Sequence, residues 1–123
     1  SPHMAHAVAN AGVRCHISRI EKFQSDETFD LTLAAGVLEF IEQPELVFSL
    51  CQRLLIPKGH FVILIPTRGI PGALYKAFHE IQKCRTWARS CDEYQAMAEA
   101  ARFELSDMKI CTPISVAMKF RRR

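Results

Sequence analysis

An apolar run at Phe29–Ala35 (FDLTLAA), a helical stretch opening at Pro44 and a second apolar run at Phe61–Ile65 (FVILI) follow one another in the middle of the chain. The first run is bounded by the polar stretch Gln24–Thr28 and by Gly36, and it is too short for a helix, so it predicts a buried strand. Pro44 suits the first turn of a helix, and Leu46, Val47, Leu50, Leu54 and Leu55 recur every three or four positions up to Pro57-Lys58-Gly59, which predicts a turn. FVILI is strand-like and is ended by Pro66. Two such strands joined by a helix make a βαβ unit with parallel strands, and Leu50 falls on its buried stripe while Glu45 faces solvent.

The flanking segments extend this alternation. Pro2–Ala11 carries apolar residues at helical spacing with Gly12 as a stop, and Val13–Ile17 reads as a short strand. After the βαβ unit, Pro71-Gly72 introduces an amphipathic segment with Leu74, Ala77, Phe78 and Ile81 on one face. Ser90 with Glu93 is a capping box that opens a helix turning Tyr94, Met97, Ala98 and Ala101 inward. Phe103–Ile110 and Ser115–Phe120 alternate apolar and polar around Thr112-Pro113 and predict two antiparallel strands. The expected class is α/β.

With 123 residues, 49% hydrophobic and 24% charged, the chain is a folded single domain over residues 1–123 and not a disordered one. No apolar run is long enough for a membrane span and no signal peptide opens it, so a cytoplasmic protein is expected. The net charge of +3 matches the terminal Arg121, Arg122 and Arg123, and elsewhere acids and bases alternate, which argues against a nucleic-acid partner. Five cysteines without a C-x-x-C pair form neither a disulfide framework nor a zinc site. Cys15, Cys51 and Cys111 lie in apolar runs and read as buried thiols. Five histidines give no metal spacing beyond His3 and His6, so no metal is expected.

The run Phe29-Asp30-Leu31-Thr32-Leu33-Ala34-Ala35-Gly36-Val37-Leu38-Glu39-Phe40, then Pro44-Glu45 and a helix, then Leu54-Leu55-Ile56-Pro57-Lys58-Gly59-His60-Phe61, resembles class I S-adenosylmethionine-dependent methyltransferases, in their fourth strand, following helix and fifth strand. Tyr94–Phe103 is similar to the helix and sixth-strand entry of the same family. The resemblance implies a Rossmann-like sheet of parallel strands with an antiparallel C-terminal pair. The family's glycine-rich turn and the acid ending its second strand do not occur in the 123 residues, so the N-terminal strands are expected to be missing. Ser1-Pro2-His3-Met4 fits the family's third block or is a vector remnant. Lys58 and Arg102 stand where the family commonly has glycine.

The same resemblance implies the site. Ser18, Arg19 and Ile20 would contact the adenine of S-adenosylmethionine, and a solvated loop is the plainer reading of them. Ala34, Ala35 and Gly36 would let main-chain atoms approach the cofactor's methionine part, and a turn with positive φ is the plainer role for Gly36. Phe40 replaces a histidine common in relatives and would wall the substrate pocket, while Glu39 is a helix-start acid or a general base. Arg68, Tyr75 and His79 lie in the segment that covers substrate in the family, or on a surface helix. The implied activity is methyl transfer to a small molecule, weak or absent in this chain alone, with cofactor binding of millimolar strength at best. A non-catalytic module that self-associates through an exposed strand edge and an RNA methyltransferase are the alternatives.

Overall fold

A computed structural model of the chain describes residues 11–12, 18, 20–66, 89–112 and 115–123. The expected strand Val13–Ile17, the amphipathic segment after Pro71 and nearly all of the first helix lie outside the described residues, as do Cys15, Cys84, His3 and His6. Gly12, expected as a stop, has φ +85°.

Four strands form one sheet: β1 (Phe29–Ala35), β2 (Leu55–Pro66), β3 (Phe103–Thr112) and β4 (Ser115–Arg122), in the order β1-β2-β4-β3. β1 runs parallel to β2, with Thr32 opposite Phe61 and Ala34 opposite Ile63, while β4 is antiparallel to both β2 and β3. This is the expected α/β sheet, a parallel pair followed by an antiparallel C-terminal pair. Helix α1 (Glu45–Leu54) joins β1 to β2, and α2 (Cys91–Ala100) leads into β3. The Ser90 hydroxyl accepts from the Glu93 amide at 3.1 Å, so the sequence-level cap is formed.

Both helices cover the same face of the sheet. Val47, Phe48 and Cys51 from α1 and Tyr94 and Ala98 from α2 pack with Ala34, Phe61, Ile63, Ile65, Phe103, Val116, Met118 and Phe120. Phe48, which the stripe reading passed over, lies at the centre of this layer, with its ring 5.3, 5.9 and 6.4 Å from those of Phe61, Phe120 and Phe103. Leu46 is 48% exposed and not part of the stripe, because the turn of the helix that carries Val47 and Phe48 inward rotates Leu46 to solvent. Leu50 is buried as expected, and with Leu54 it lines a cleft beside Phe23–Asp26.

The turn expected at Pro57–Gly59 is instead an irregularity inside β2, which begins six residues before Phe61. Phe29 pairs with Leu55 and Leu31 with His60, so extra residues bulge out of β2 between the two pairs. Lys58 makes this bend at φ +66°. Gly59 has no room for a side chain, since a Cβ there would stand 2.9 Å from the Ile56 carbonyl oxygen and 3.2 Å from the Leu55 side chain. Cys51 is a buried free thiol, whereas Cys111, expected in the core, is exposed. It follows Ile110, itself exposed, at the far end of β3, where among the described residues no helix packs against the strand.

Candidate functional site

The carboxyl end of β1 is where the chain turns from core to surface. Ala34 is buried against the core, and Ala35 and Gly36 beside it are exposed. The Gly36 amide donates to the Leu64 carbonyl at 3.1 Å, which carries the parallel ladder one residue past the strand. Gly36 then leaves it at φ +66°, a conformation in which a Cβ is strained.

A short 3-10 turn, Leu38–Phe40, follows, closed by bonds from Phe40 N to Val37 O at 3.0 Å and from Ile41 N to Leu38 O at 3.1 Å. Leu38 is buried and Phe40 half-buried. Glu39 is the middle residue of this turn, and at 2% exposure its side chain is enclosed. Its Oε1 lies 3.9 Å from where a Cβ on Gly36 would stand, so the carboxylate folds back over the strand end.

Two residues outside the sequence reading of the site complete this corner. The Arg89 guanidinium donates to the carbonyl oxygens of Leu38 (3.2 Å), Ile41 (2.9 Å) and Glu42 (3.0 Å). Tyr94, read only as a core residue, has its hydroxyl pushed up from the ordinary range by burial; a hydrogen bond from Arg89 opposes that shift and the charge of Glu39 adds to it. No local signal marks Arg89, because its acceptors lie 47 to 51 positions away in the sequence.

Of the expected site residues, Ala34, Ala35, Gly36 and Phe40 come together at this corner. Ser18 is exposed, and Ile20 opens a 3-10 turn at Ile20–Lys22. The chain after that turn, Phe23–Asp26, sits beside Leu50, Arg53 and Leu54, near the start of β2 and thus at the opposite end of the strands from Gly36. Arg19, Arg68, Tyr75 and His79 lie outside the described residues. Among the described residues no cluster of His, Cys, Asp or Glu is suited to a metal ion, and no helix is long and apolar enough to cross a membrane.

The arginine end makes contacts with the sheet, Arg121 and Arg123 from exposed positions. Arg121 meets Glu104 at 2.7 Å, Arg123 reaches the other Glu104 oxygen at 4.0 Å, and Arg122 donates to the Leu55 carbonyl.

The sequence model of a methyltransferase domain matches residues 1–63. The chain belongs to this methyltransferase family. Among curated proteins none matches it. Solved structures of methyltransferases share the fold. A Thermotoga maritima S-adenosylmethionine-dependent methyltransferase, a possible histamine N-methyltransferase, superposes with a TM-score of 0.81 at 19% identity, covering 98% of this chain and 69% of that one. Human N-acetylserotonin methyltransferase in complex with S-adenosylmethionine gives 0.72 at 19% identity over 87% of this chain and 33% of that one. Magnesium protoporphyrin IX methyltransferase from Synechocystis PCC 6803, with bound S-adenosylhomocysteine, gives 0.67 at 10% identity over 86% and 49%. The methyltransferase chain thus spans a third to a half of the length of the last two.

Proposed function

We propose that this chain serves S-adenosylmethionine-dependent methyl transfer to a small molecule, as one domain over residues 1–123, with the cofactor seated at the carboxyl end of β1. The observation that carries the reading is the exposed pair Ala35 and Gly36, where a parallel strand pair ends in small residues and, among the described residues, the space over Gly36 meets only the Glu39 carboxylate. Ligands of open α/β sheets bind at this edge. The residues present fit the cofactor there, since the main chain can be approached closely and a carboxylate stands beside it.

When bound, the cofactor supplies an electrophilic methyl group on a sulfonium. The chain's part is to hold and orient: main-chain atoms of Ala34–Gly36 for the methionine part, Ser18, Arg19 and Ile20 for the adenine, and Phe40 with Arg68, Tyr75 and His79 for the acceptor. An acceptor that is already nucleophilic needs in-line placement and exclusion of water more than a base. Small-molecule acceptors are favoured by the names of the similar structures, and the ion pairs of Arg121 and Arg123 with Glu104 offset part of the charge at the arginine end.

The test is a titration of the 123-residue chain with S-adenosylmethionine, followed by the amide resonances of Ala35 and Gly36. Saturable shifts at these two amides, lost in Gly36→Val, are expected; shifts confined to other parts of the chain overturn the assignment.

A second reading rests on β1. Leu31 and Leu33 are 55% and 66% exposed on the sheet face opposite the helices, and among the described residues β1 pairs on one side only. A second copy of the chain packing on this face makes the protein self-associating.

A further inference from the structure

We propose that Arg89 is a positioning residue for the cofactor edge, clamping the turn after β1 so that Gly36, Glu39 and Phe40 are held in one arrangement. The proposal rests on the methyl-transfer reading above for the identity of the ligand.

Within the turn after Gly36 the backbone's own bonds run from Phe40 N to Val37 O and from Ile41 N to Leu38 O. Carbonyls at the end of so short a turn need hydrogen-bond donors from outside it, and Leu38 O, which already accepts from Ile41 N, has a second lone pair to offer. Arg89 meets that need at three points at once, through Nη1 to Leu38 and through Nη2 to Ile41 and Glu42. The planar guanidinium can reach several carbonyls in one fixed geometry, which a lysine ammonium on its flexible stem does not reproduce.

The clamp is itself anchored. Arg89 immediately precedes Ser90, the cap of α2, and its guanidinium acts electrostatically on Tyr94, one turn into that helix and fully buried. The start of α2 thus ties the turn after β1 to the helical layer. Phe40 rides on the clamped turn, and the buried Glu39 within it reaches back to Gly36. Releasing Leu38, Ile41 and Glu42 frees the wall of the site while leaving the sheet hydrogen bonds intact.

The experiment compares the full chain with Arg89→Ala and Arg89→Lys by NMR. It reads amide hydrogen exchange at Phe40 and Ile41, exchange at Ile63 in the sheet, and shifts at Ala35 and Gly36 on adding S-adenosylhomocysteine. Arg89→Ala is expected to speed exchange at Phe40 and Ile41 by about tenfold with Ile63 unchanged, and to raise the S-adenosylhomocysteine concentration for half-saturation by a similar factor. Arg89→Lys recovers less than half of each effect, and it stands in for Arg89→Ala if the alanine variant loses its sheet. Unchanged exchange at Phe40 and Ile41 overturns the clamp. Faster exchange with an unaltered titration overturns the positioning role and leaves a structural tie. A wild-type chain that shows no shift with S-adenosylhomocysteine overturns the cofactor reading and the positioning role with it, while the exchange data still judge the clamp.

Discussion

The ring of Phe48 meets that of Phe61 nearly edge-on, with centroids 5.3 Å apart and planes at 76°. This contact joins the crossover helix to the strand that follows it, and Phe103 and Phe120 extend it to the C-terminal pair. Edge-to-face pairs add to the burial that aromatic rings already contribute.

Phe48→Ala is accordingly expected to cost about 3–5 kcal/mol, because it opens a cavity at the meeting point of four elements. Leu46→Ala, at an exposed position two residues earlier, should stay within about 0.5 kcal/mol. Urea denaturation of the two variants checks the contrast, and comparable losses would remove Phe48 from the centre of the core.

Leu50→Asp should abolish cooperative unfolding, since it places an unpaired charge at a buried site, a change that costs several kcal/mol. Glu45→Ala on the exposed side of the same helix should shift stability by less than about 0.5 kcal/mol. Circular dichroism melts of both are the measurement, and equal shifts would contradict the placement of the helix.

Lys58 and Arg102 hold φ of +66° and +67°, the two left-handed non-glycine residues among those described. Both stand where the resemblance places glycine, the residue that adopts this conformation without strain. Arg102→Gly should relieve steric strain on the order of 1 kcal/mol, with the melting temperature rising by a few degrees. A lowered melting temperature would mean that the arginine side chain contributes more than its backbone costs.

Burial pushes the Cys51 thiol up to about 11 from 9.0. Below the lower value the thiol is neutral in both the folded and the unfolded chain. Between the two, the unfolded chain releases its proton first, so stability falls as pH rises by about 2–3 kcal/mol in total and then levels off. Denaturation curves of wild type and Cys51→Ala from pH 8 upward should therefore converge with pH in this window, and a constant difference between them would count against the burial of the thiol.

If Leu31 and Leu33 form a contact between copies, light scattering should give a dimer mass at concentrations on the order of tens of micromolar. Leu33→Glu should return the monomer mass. A wild-type monomer at that concentration removes the second reading.

The local elements were legible in the sequence alone. Phe29–Ala35 was bounded by a polar loop and Gly36, α1 by Pro44, and α2 by the Ser90–Glu93 cap, and each of these signals acts through neighbours a few residues away. The alternation of Phe103–Ile110 and Ser115–Phe120 likewise carried the C-terminal pair. The glycine at 36 and the small residues before it marked the strand edge for the same reason.

What the tertiary structure alone decided depends on partners distant in the chain. The bulge of β2 at Lys58 is set by pairing Leu55 with Phe29 and His60 with Leu31, so a sequence that reads as a turn is drawn into the sheet. Whether Leu46 or Phe48 faces inward is fixed by where the sheet lies beneath α1, since both are apolar and differ by two positions on the helix. Arg89 finds its three carbonyls and Tyr94 in one corner only because α2 packs beside the turn after β1, and hydrogen bonds across some fifty positions leave no periodicity to read.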